Sequence, residues 1–328
     1  WLYARVLGFT FQIERALDYQ RQALKLSPHR HFWHLQNILG FPETLFLSPE
    51  RVQNDWAKQS LIALKQNKSS LISLRILQQE LAYLPQNYWS LHYLSDLSFD
   101  LLIELRQALA AQFITLEPMP IKQRTGPLRL GILVSDQHEG IFKMQQGGLL
   151  FNLPSEQFIP VLIGRQSKLQ DCQHPNLERL ELPLDLLAAA EQIREADLDL
   201  LYYWEVGSDL LNYFLPFLRP APIQLTSWGT PSPAAIPGID YMLFHRAMLH
   251  SESSSVFPEK TILLDTLPGY FQDPAPQAGH KTDQEMGLPK GKRLLCLQNV
   301  LKYSLSFLNA LAQILTDSPE CQLILLCS

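Results

Sequence analysis

The sequence predicts an α/β protein with an all-α region at its N-terminal end. Over residues 1–117, apolar residues recur every three or four positions, which is the spacing of amphipathic helices. Beyond residue 127, short apolar stretches alternate with helical ones, a pattern typical of a parallel, doubly wound sheet. The prolines at 118 and 120 mark the change of pattern. These observations predict three regions, at residues 1–118, 127–272 and 284–328.

The composition is that of a soluble globular protein and excludes several classes of partner. Apolar residues make up 46% and charged residues 18% of the 328 residues, which excludes a largely disordered or coiled-coil chain. The chain has 27 Lys and Arg against 32 Asp and Glu, a net charge of -5. Because this offers no cationic field, we expect neither nucleic acid nor a membrane as a partner.

Cysteine usage and hydropathy predict a cytoplasmic protein. The four cysteines show no C-x-x-C spacing, so we expect reduced thiols and no structural zinc. No stretch approaches the ~18 apolar residues of a membrane span, and residues 1–26 carry charges throughout. The chain begins at Trp1 and stops at Ser328, directly after the apolar run 321–327, so we expect it to be a piece of a longer protein.

The helical region contains one repeat-like pattern. Ala16, Ala23 and Pro28 have the offsets of the second helix of a tetratricopeptide repeat, in which small residues admit a neighbouring helix and proline ends the helix. Residues 1–118 are therefore interpreted as TPR-like. Ser48, Pro49 and Glu50 predict the start of another helix, with Ser48 as its N-cap, that runs to about residue 66. Further helices are predicted at 71–83 and 97–113.

The remaining regions predict two Rossmann-like units, of which the second is incomplete. The first has strands at 128–134, 158–164, 198–204, 223–227, 241–244 and 261–264, with helices at 186–195 and 209–217 among them. The second has a strand at 293–297, a helix at 304–315 and a strand at 321–327. Its β-α-β pattern predicts the beginning of a second Rossmann-like domain.

Polar residues that follow the strands are the candidate functional residues, because ligands of open parallel sheets bind at the carboxyl ends of strands. They are Asp136, His138, Glu205, Asp209, Trp228, Thr230, Gln298 and Lys302. A dinucleotide fingerprint, a P-loop and a serine-hydrolase elbow are all missing. His29, His31 and His34 lack the H-E-x-x-H spacing of a zinc enzyme, so we expect no metal there.

The residues around Trp228 carry a resemblance to a known family. The segment 218–241 reads LRPAPIQLTSWGTPSPAAIPGIDY and is similar to the core motif of the O-linked N-acetylglucosamine transferase and SPINDLY-type glycosyltransferases, a family 41-like group, especially its bacterial members. Residues 199–209 resemble the preceding family segment, a strand followed by E-[IV]-G-x-D. Residues 258–264 and the C-x-Q-x-x-x-K of 296–302 resemble the segments that follow.

The resemblance implies a GT-B glycosyltransferase, of which this chain holds the first Rossmann-like domain and the start of the second, with the C-terminal domain truncated. It implies an inverting transfer of a sugar, expected to be N-acetylglucosamine, from a UDP-linked donor to Ser or Thr of proteins that the helical region guides. No metal or other cofactor is implied. By the same resemblance, Lys302 would contact the diphosphate, Gln298 would bind the donor, and His138 would be catalytic beside the acceptor.

Other cleft positions implied by the resemblance are Glu205, Asp209, Trp228 and Thr230, and here the sequence also departs from the family. Bacterial relatives have histidine where this chain has Thr230, and the loop that carries His138 is shorter than theirs. Two alternatives therefore stay open: an asparagine-directed protein glucosyltransferase of the same family, and a non-catalytic helical-repeat interaction protein with a degenerate transferase domain. Because the donor-binding half is incomplete, we expect these 328 residues to be inactive alone.

Overall fold

A computed structural model describes most of the chain. The described residues are 2–9, 12–40, 45, 48–67, 72–73, 76, 94, 97–229, 232–248, 257–271, 281–298 and 302–325. Most of the helix predicted at 71–83, and the candidate cleft residue Thr230, lie outside them.

Amphipathic helices form the N-terminal region, as the apolar spacing predicts. They are α1 (Leu2–Phe9), α2 (Ile13–Leu26), α3 (His31–Leu39), α4 (Glu50–Gln66) and α5 (Phe99–Ala110). Ala16 of α2 is fully buried and packs with Leu7 of α1, and α2 ends shortly before Pro28. Helix α4 ends where predicted, but the N-cap expectation is wrong. Pro49 holds the N-cap position of α4 and no side chain caps the helix there.

The middle of the chain folds into a seven-stranded sheet in which every neighbouring pair is parallel. The strands are β1 (Leu128–Leu133), β2 (Phe158–Ile163), β3 (Glu178–Leu180), β4 (Leu200–Tyr203), β5 (Ile223–Thr226), β6 (Tyr241–His245) and β7 (Lys260–Leu264). Their order is β3-β2-β1-β4-β5-β6-β7. The predicted fold class, α/β with a doubly wound sheet and a helical N-terminal region, is confirmed.

Three helices accompany this sheet: α6 (Glu139–Asn152), α7 (Leu186–Glu195) and α8 (Leu210–Phe214). The single helix predicted at 209–217 is wrong in its second half, since α8 passes into the 3-10 turn Leu215–Leu218. Pro216 explains the change, because a proline has no N–H for the α-helical hydrogen bond. The strand β3 was not predicted.

Side chains of β1 alternate between two cores. Leu133 belongs to a cluster that includes Phe32 of α3 and Leu105 of α5, while Ile132 packs with Phe142 of α6 on the other side. One core thus extends from α3, α4 and α5 to one face of the sheet, while α1 and α2 share a separate small cluster. The predicted domain limits stay predictions, but the helical region is packed against the α/β unit rather than tethered beside it.

A second, two-stranded sheet follows near the end of the chain. It pairs β8 (Lys292–Cys296) with β9 (Cys321–Leu325) in parallel, and α9 (Leu305–Asp317) connects them. Ser304 begins α9 as its N-cap and accepts a hydrogen bond from the Phe307 amide. This is the β-α-β predicted from the apolar pattern of residues 293–327. Among the residues described, we find no helix with the length and hydropathy of a membrane span.

Candidate functional site

The point at which the strand order reverses lies between β1 and β4, and two loops meet there at the carboxyl ends of these strands. Three contacts join the loops. The Ser208 hydroxyl donates to the Ser135 hydroxyl at 2.7 Å, and the Asp136 amide donates to a carboxylate oxygen of Asp209 at 3.0 Å. The third contact joins His138 to Glu205. The register of β1 against β4 therefore determines which polar residues face one another.

His138 and Glu205 form the pair at the centre of the site. His138 is the N-cap residue of α6, and its Nδ1 lies 2.7 Å from Glu205 Oε1. A carboxylate accepts only, so Nδ1 carries the proton and donates, and in the neutral imidazole Nε2 keeps its lone pair. The Glu205 side chain is 5% exposed, whereas that of His138 is 37% exposed. The imidazole can thus meet a ligand while the carboxylate stays behind it.

The electrostatics of the pair favour the imidazolium form. The hydrogen bond to Glu205 raises the pKa of His138 above its ordinary value, although partial burial opposes this. The backbone of Glu205 is held in place as well, because its main-chain oxygen accepts a hydrogen bond from the side-chain Nδ2 of Asn212 at 2.6 Å. This arrangement can take a proton from a bound hydroxyl group and hold the resulting positive charge.

Asp209 has a positioning role in the described structure. It begins α8 as the N-cap, with Oδ1 accepting from the Asn212 amide N–H at 2.8 Å. Its other oxygen accepts from the Asp136 amide. Burial raises the pKa of Asp209. Both carboxylate oxygens are therefore engaged with backbone, and Asp209 holds the two loops together.

A cleft of about 860 Å³ opens beside this pair. Its walls include Asp136, His138, Arg165, Glu181, Ser208 and Asp209. Arg165 forms an ion pair with Asp136 at 2.9 Å, so the mouth of the cleft carries charges of both signs. We call this space the His138 cleft. It has the size of a small-molecule site, about 300–1,000 Å³.

Trp228 follows β5 and is not among the residues that line the His138 cleft. Its indole N–H donates to the Pro268 carbonyl at 3.3 Å, and its ring lies 5.9 Å from that of Phe271. Gln146 of α6 donates to the same carbonyl at 3.1 Å. Trp228 and Gln146 thus both hold the stretch that follows β7, and Gln146 connects it to α6. Its predicted contact with a ligand stays a prediction.

The predicted donor residues lie in the second sheet unit. Gln298 and Lys302 are between β8 and α9, at the carboxyl end of β8. The Gln298 carbonyl accepts from the Tyr303 hydroxyl at 3.2 Å. The placement after a parallel strand agrees with the expected location of a ligand site. Their donor-binding role is still a prediction.

Several motif residues prove to be structural. Arg219 is buried and donates to the Gly238 carbonyl at 2.7 Å and to Asp240 at 2.8 Å. The other Asp240 oxygen accepts from the Gln224 amide at 2.8 Å, and the Gln224 side chain accepts from the Tyr203 hydroxyl at 2.9 Å. This network fixes the crossover from β5 to β6. Arg219, Gln224 and Asp240 of the motif therefore stabilise the amino-terminal ends of β5 and β6.

A buried arginine of the helical region, which the sequence did not predict, contacts the segment between β5 and β6. Arg106 of α5 donates to the Ser232 hydroxyl at 2.9 Å and also to the Pro233 carbonyl. Buried Glu259 accepts from the Ala235 amide at 2.7 Å, and Ala235 has a left-handed φ of 55°. Burial lowers the pKa of Arg106, while nearby Glu259 opposes that effect. The only signal in the sequence is one arginine within the apolar helix 99–110.

The described residues contain no group of three or more His, Cys, Asp or Glu side chains arranged to hold a metal ion.

Comparison with known proteins shows the fold. No protein-family model and no curated protein sequence matches the chain. Among solved structures, a mutant of the O-GlcNAc transferase of Thermobaculum terrenum is similar, with a TM-score of 0.64 and 16% sequence identity. The match covers 98% of this chain and 60% of that one. Over nearly its whole length, the chain thus has the GT-B type architecture of an O-GlcNAc transferase, and it spans three fifths of the length of that protein.

Proposed function

We propose that this chain is part of an inverting glycosyltransferase that moves N-acetylglucosamine from a UDP-linked donor to Ser or Thr hydroxyls of proteins. The observation that carries the proposal is the His138–Glu205 pair at the switch point of the sheet, beside an open cleft. The likeness to a solved O-GlcNAc transferase supports the reaction class. The four motif segments, in the family's order, support it independently of the fold.

In this proposal His138 is the general base. The acceptor hydroxyl oxygen attacks the anomeric carbon, the bond from that carbon to the diphosphate breaks, and the hydroxyl proton moves to His138 Nε2. Glu205 keeps the Nδ1 proton in place and stabilises the imidazolium that forms. A group that touches the reacting hydroxyl in this way contributes about 10²–10⁴-fold in rate.

The departing diphosphate needs positive charge. Lys302 is the residue that the motif assigns to it, and Gln298 would help to bind the donor. Cationic side chains and backbone N–H groups can provide the stabilisation that a metal ion provides in other transferases. In-line attack also requires that donor and acceptor are held in one orientation.

Protein acceptors would be guided by the N-terminal helices. The shared core and the buried Arg106 contact support this part of the proposal, because they connect the helical region rigidly to the loop after β5. An acceptor held on the helices would then keep a defined position relative to His138.

A transfer assay tests the proposal. The intact protein is incubated with UDP-N-acetylglucosamine or UDP-glucose and with peptides that contain Ser, Thr or Asn, and products are identified by mass spectrometry. We expect sugar on Ser or Thr, and a loss of about 10²–10⁴-fold in His138→Ala. Transfer to Asn alone would favour the asparagine-directed alternative. The absence of transfer with either donor would contradict the proposal and favour an interaction protein.

A further inference from the structure

The His138 cleft has an apolar wall that the proton transfer proposed above does not use. Four leucines line it: Leu182, Leu184, Leu210 and Leu211. Three of them are partly buried against the core, whereas Leu184 is 92% exposed. Ligand sites in proteins are mostly apolar and contain a small number of polar groups. The wall is therefore open to a ligand and offers it an apolar contact in the same cleft as His138.

Glu181 adds a negative charge to this wall. It follows β3 directly, is exposed, and lines the cleft next to Leu182. Its Oε2 accepts a hydrogen bond from the Gln166 amide at 3.3 Å, and within the described ranges no cationic side chain forms an ion pair with it. Nearby Arg179 donates to the Leu169 and Cys172 carbonyls and does not line the cleft. The Glu181 carboxylate is thus available to a cationic ligand.

The other charged groups of the site have partners of their own. Arg165 forms an ion pair with Asp136 at 2.9 Å, and His138 lies 2.7 Å from Glu205. Both carboxylate oxygens of Asp209 accept from backbone amides. Glu181 is therefore the charge of the cleft wall that a ligand can engage without breaking one of these pairs.

The combination of leucines and one carboxylate favours a basic side chain. Lysine and arginine pack their aliphatic stems on apolar surface and keep the charged head group in a polar place. Leu182 and Leu184 would contact the stem, and Glu181 would attract the head group. A purely apolar side chain gains only the first contact, and an acidic one is repelled by Glu181.

We propose that the stretch 181–184, which joins β3 to α7, is a subsite for a lysine or arginine side chain of the acceptor polypeptide. The proposal rests on the proposed function, since it takes the His138 cleft as the acceptor site. A cleft of about 860 Å³ is on the order of 10 Å wide, a distance that three residues of extended chain span at about 3.3 Å each. The basic residue should therefore lie within about three positions of the modified Ser or Thr.

Peptide binding tests the proposal without any transfer reaction. Peptides with one threonine among alanines carry lysine, norleucine or glutamate at one of the three positions on either side, and each is titrated into the intact protein by saturation-transfer NMR. Norleucine matches the lysine stem and lacks its charge. At the best position we expect lysine to bind about threefold more tightly than norleucine and about tenfold more tightly than glutamate. Equal binding of lysine and norleucine at every position would overturn the proposal.

Charge reversal at Glu181 locates the preference. In Glu181→Lys the order should invert, so that the glutamate peptide binds more tightly than the lysine peptide. In Glu181→Gln, which keeps an oxygen for the Gln166 amide, lysine and norleucine should bind equally. Glu195→Lys is the matched control, because it makes the same charge change at an exposed acid of α7 outside the cleft. An order unchanged in both Glu181 variants would overturn the proposal.

Leu184→Ser tests the contact with the stem. Because Leu184 is almost fully exposed, the change should leave folding intact. We expect the lysine and norleucine peptides to bind about fivefold more weakly, since both lose part of one leucine contact. Leu187→Ser is the control, because Leu187 is an exposed leucine of α7 that does not line the cleft. The same affinity in Leu184→Ser as in the control would contradict the role of the leucine wall.

The same peptides in a transfer assay separate this proposal from the proposed function. With UDP-N-acetylglucosamine present, kcat/KM should follow the order of binding. If no peptide is modified while the lysine preference persists in binding, the transferase proposal fails and the basic subsite stands. If threonine is modified equally in the lysine and norleucine peptides and their binding is equal, the subsite is overturned and the reaction stands.

Discussion

The Arg106 guanidinium donates a hydrogen bond to the Ser232 hydroxyl at 2.9 Å, although 126 residues separate them along the chain. The bond joins α5 of the helical region to the loop that follows β5. The same loop contains Gly229, where a Cβ would lie 2.3 Å from the Trp204 carbonyl oxygen and 2.9 Å from Glu205 Cβ. The loop after β5 therefore contacts α5 at Ser232, and at Gly229 it lies close against Trp204 and Glu205, the residue that pairs with His138.

We expect Arg106→Met to destabilise the protein by about 1–3 kcal/mol, because it removes the guanidinium that donates to the Ser232 hydroxyl and to the Pro233 carbonyl and leaves these acceptors unpaired. Urea unfolding followed by circular dichroism measures the loss. Arg21→Ala is the control: its partner Asp18 is 62% exposed, and such a surface pair contributes only about 0–1 kcal/mol. A loss from Arg106→Met no greater than that of the control would show that the buried contact stabilises little.

The raised pKa of His138 predicts a pH dependence of transfer. A general base must be neutral, so the rate should rise with pH through a pKa above about 6.5. In Glu205→Gln the largest cause of the shift is removed, so the rise should move to lower pH while the plateau falls. The measurement is kcat/KM against pH for both proteins, with the His138 ring titrated by NMR. An unchanged NMR pKa in Glu205→Gln would contradict the pairing.

The His138–Glu205 pair also predicts how the stability of the protein changes with pH. Folding raises the pKa of His138, so the charged imidazole stabilises the folded protein. This contribution to the free energy of unfolding is fully present below the pKa of the unfolded state, about 6.5, and is lost as pH rises through the pKa of the folded state. His138→Asn should therefore cost more stability at pH 6 than at about pH 8.5. Urea unfolding of both proteins at the two pH values checks the difference. An equal cost at both would show that the charged form gains nothing from Glu205.

Sequence reasoning identified both members of the pair but not their contact. His138 and Glu205 are predictable because each follows an apolar strand, and ligands gather at such positions. That they touch depends on β1 lying beside β4 instead of β3, a feature of strand order that periodicity does not encode. The sequence pattern predicted which segments contain the two residues, whereas their contact follows from the order of the strands in the sheet.

Arg106 shows why the remaining contacts could not be predicted. An arginine within a helix usually faces water, so the sequence gives no reason to bury it. It is buried because the face of α5 that carries Arg106 packs on the loop after β5. These two segments are far apart in the sequence. Asp209 illustrates a different limit: the sequence placed it in the cleft, but only the backbone shows both its oxygens occupied by amides.

Asp209→Asn tests that positioning role. Asparagine can still cap α8 through its oxygen, but its amide group would face the Asp136 N–H, and two donors repel. We expect a loss of about 1–3 kcal/mol in stability by urea unfolding. Asp185→Asn is a suitable control, because Asp185 caps α7 through one accepted hydrogen bond from Ala188. Equal costs for the two variants would mean that the second bond of Asp209 is unimportant.

Gly229→Ala tests the contact between the loop after β5 and Glu205. The added methyl group would overlap the Trp204 carbonyl, which belongs to rigid backbone, so the loop or Glu205 must shift. We expect about 1–3 kcal/mol of destabilisation, as is usual for overpacking, together with a changed NMR pKa of His138. Gly140→Ala adds the same methyl group in open space on α6, and there alanine should stabilise the helix by up to about 1 kcal/mol. If Gly229→Ala left both the stability and the His138 titration at their wild-type values, the loop would not position Glu205.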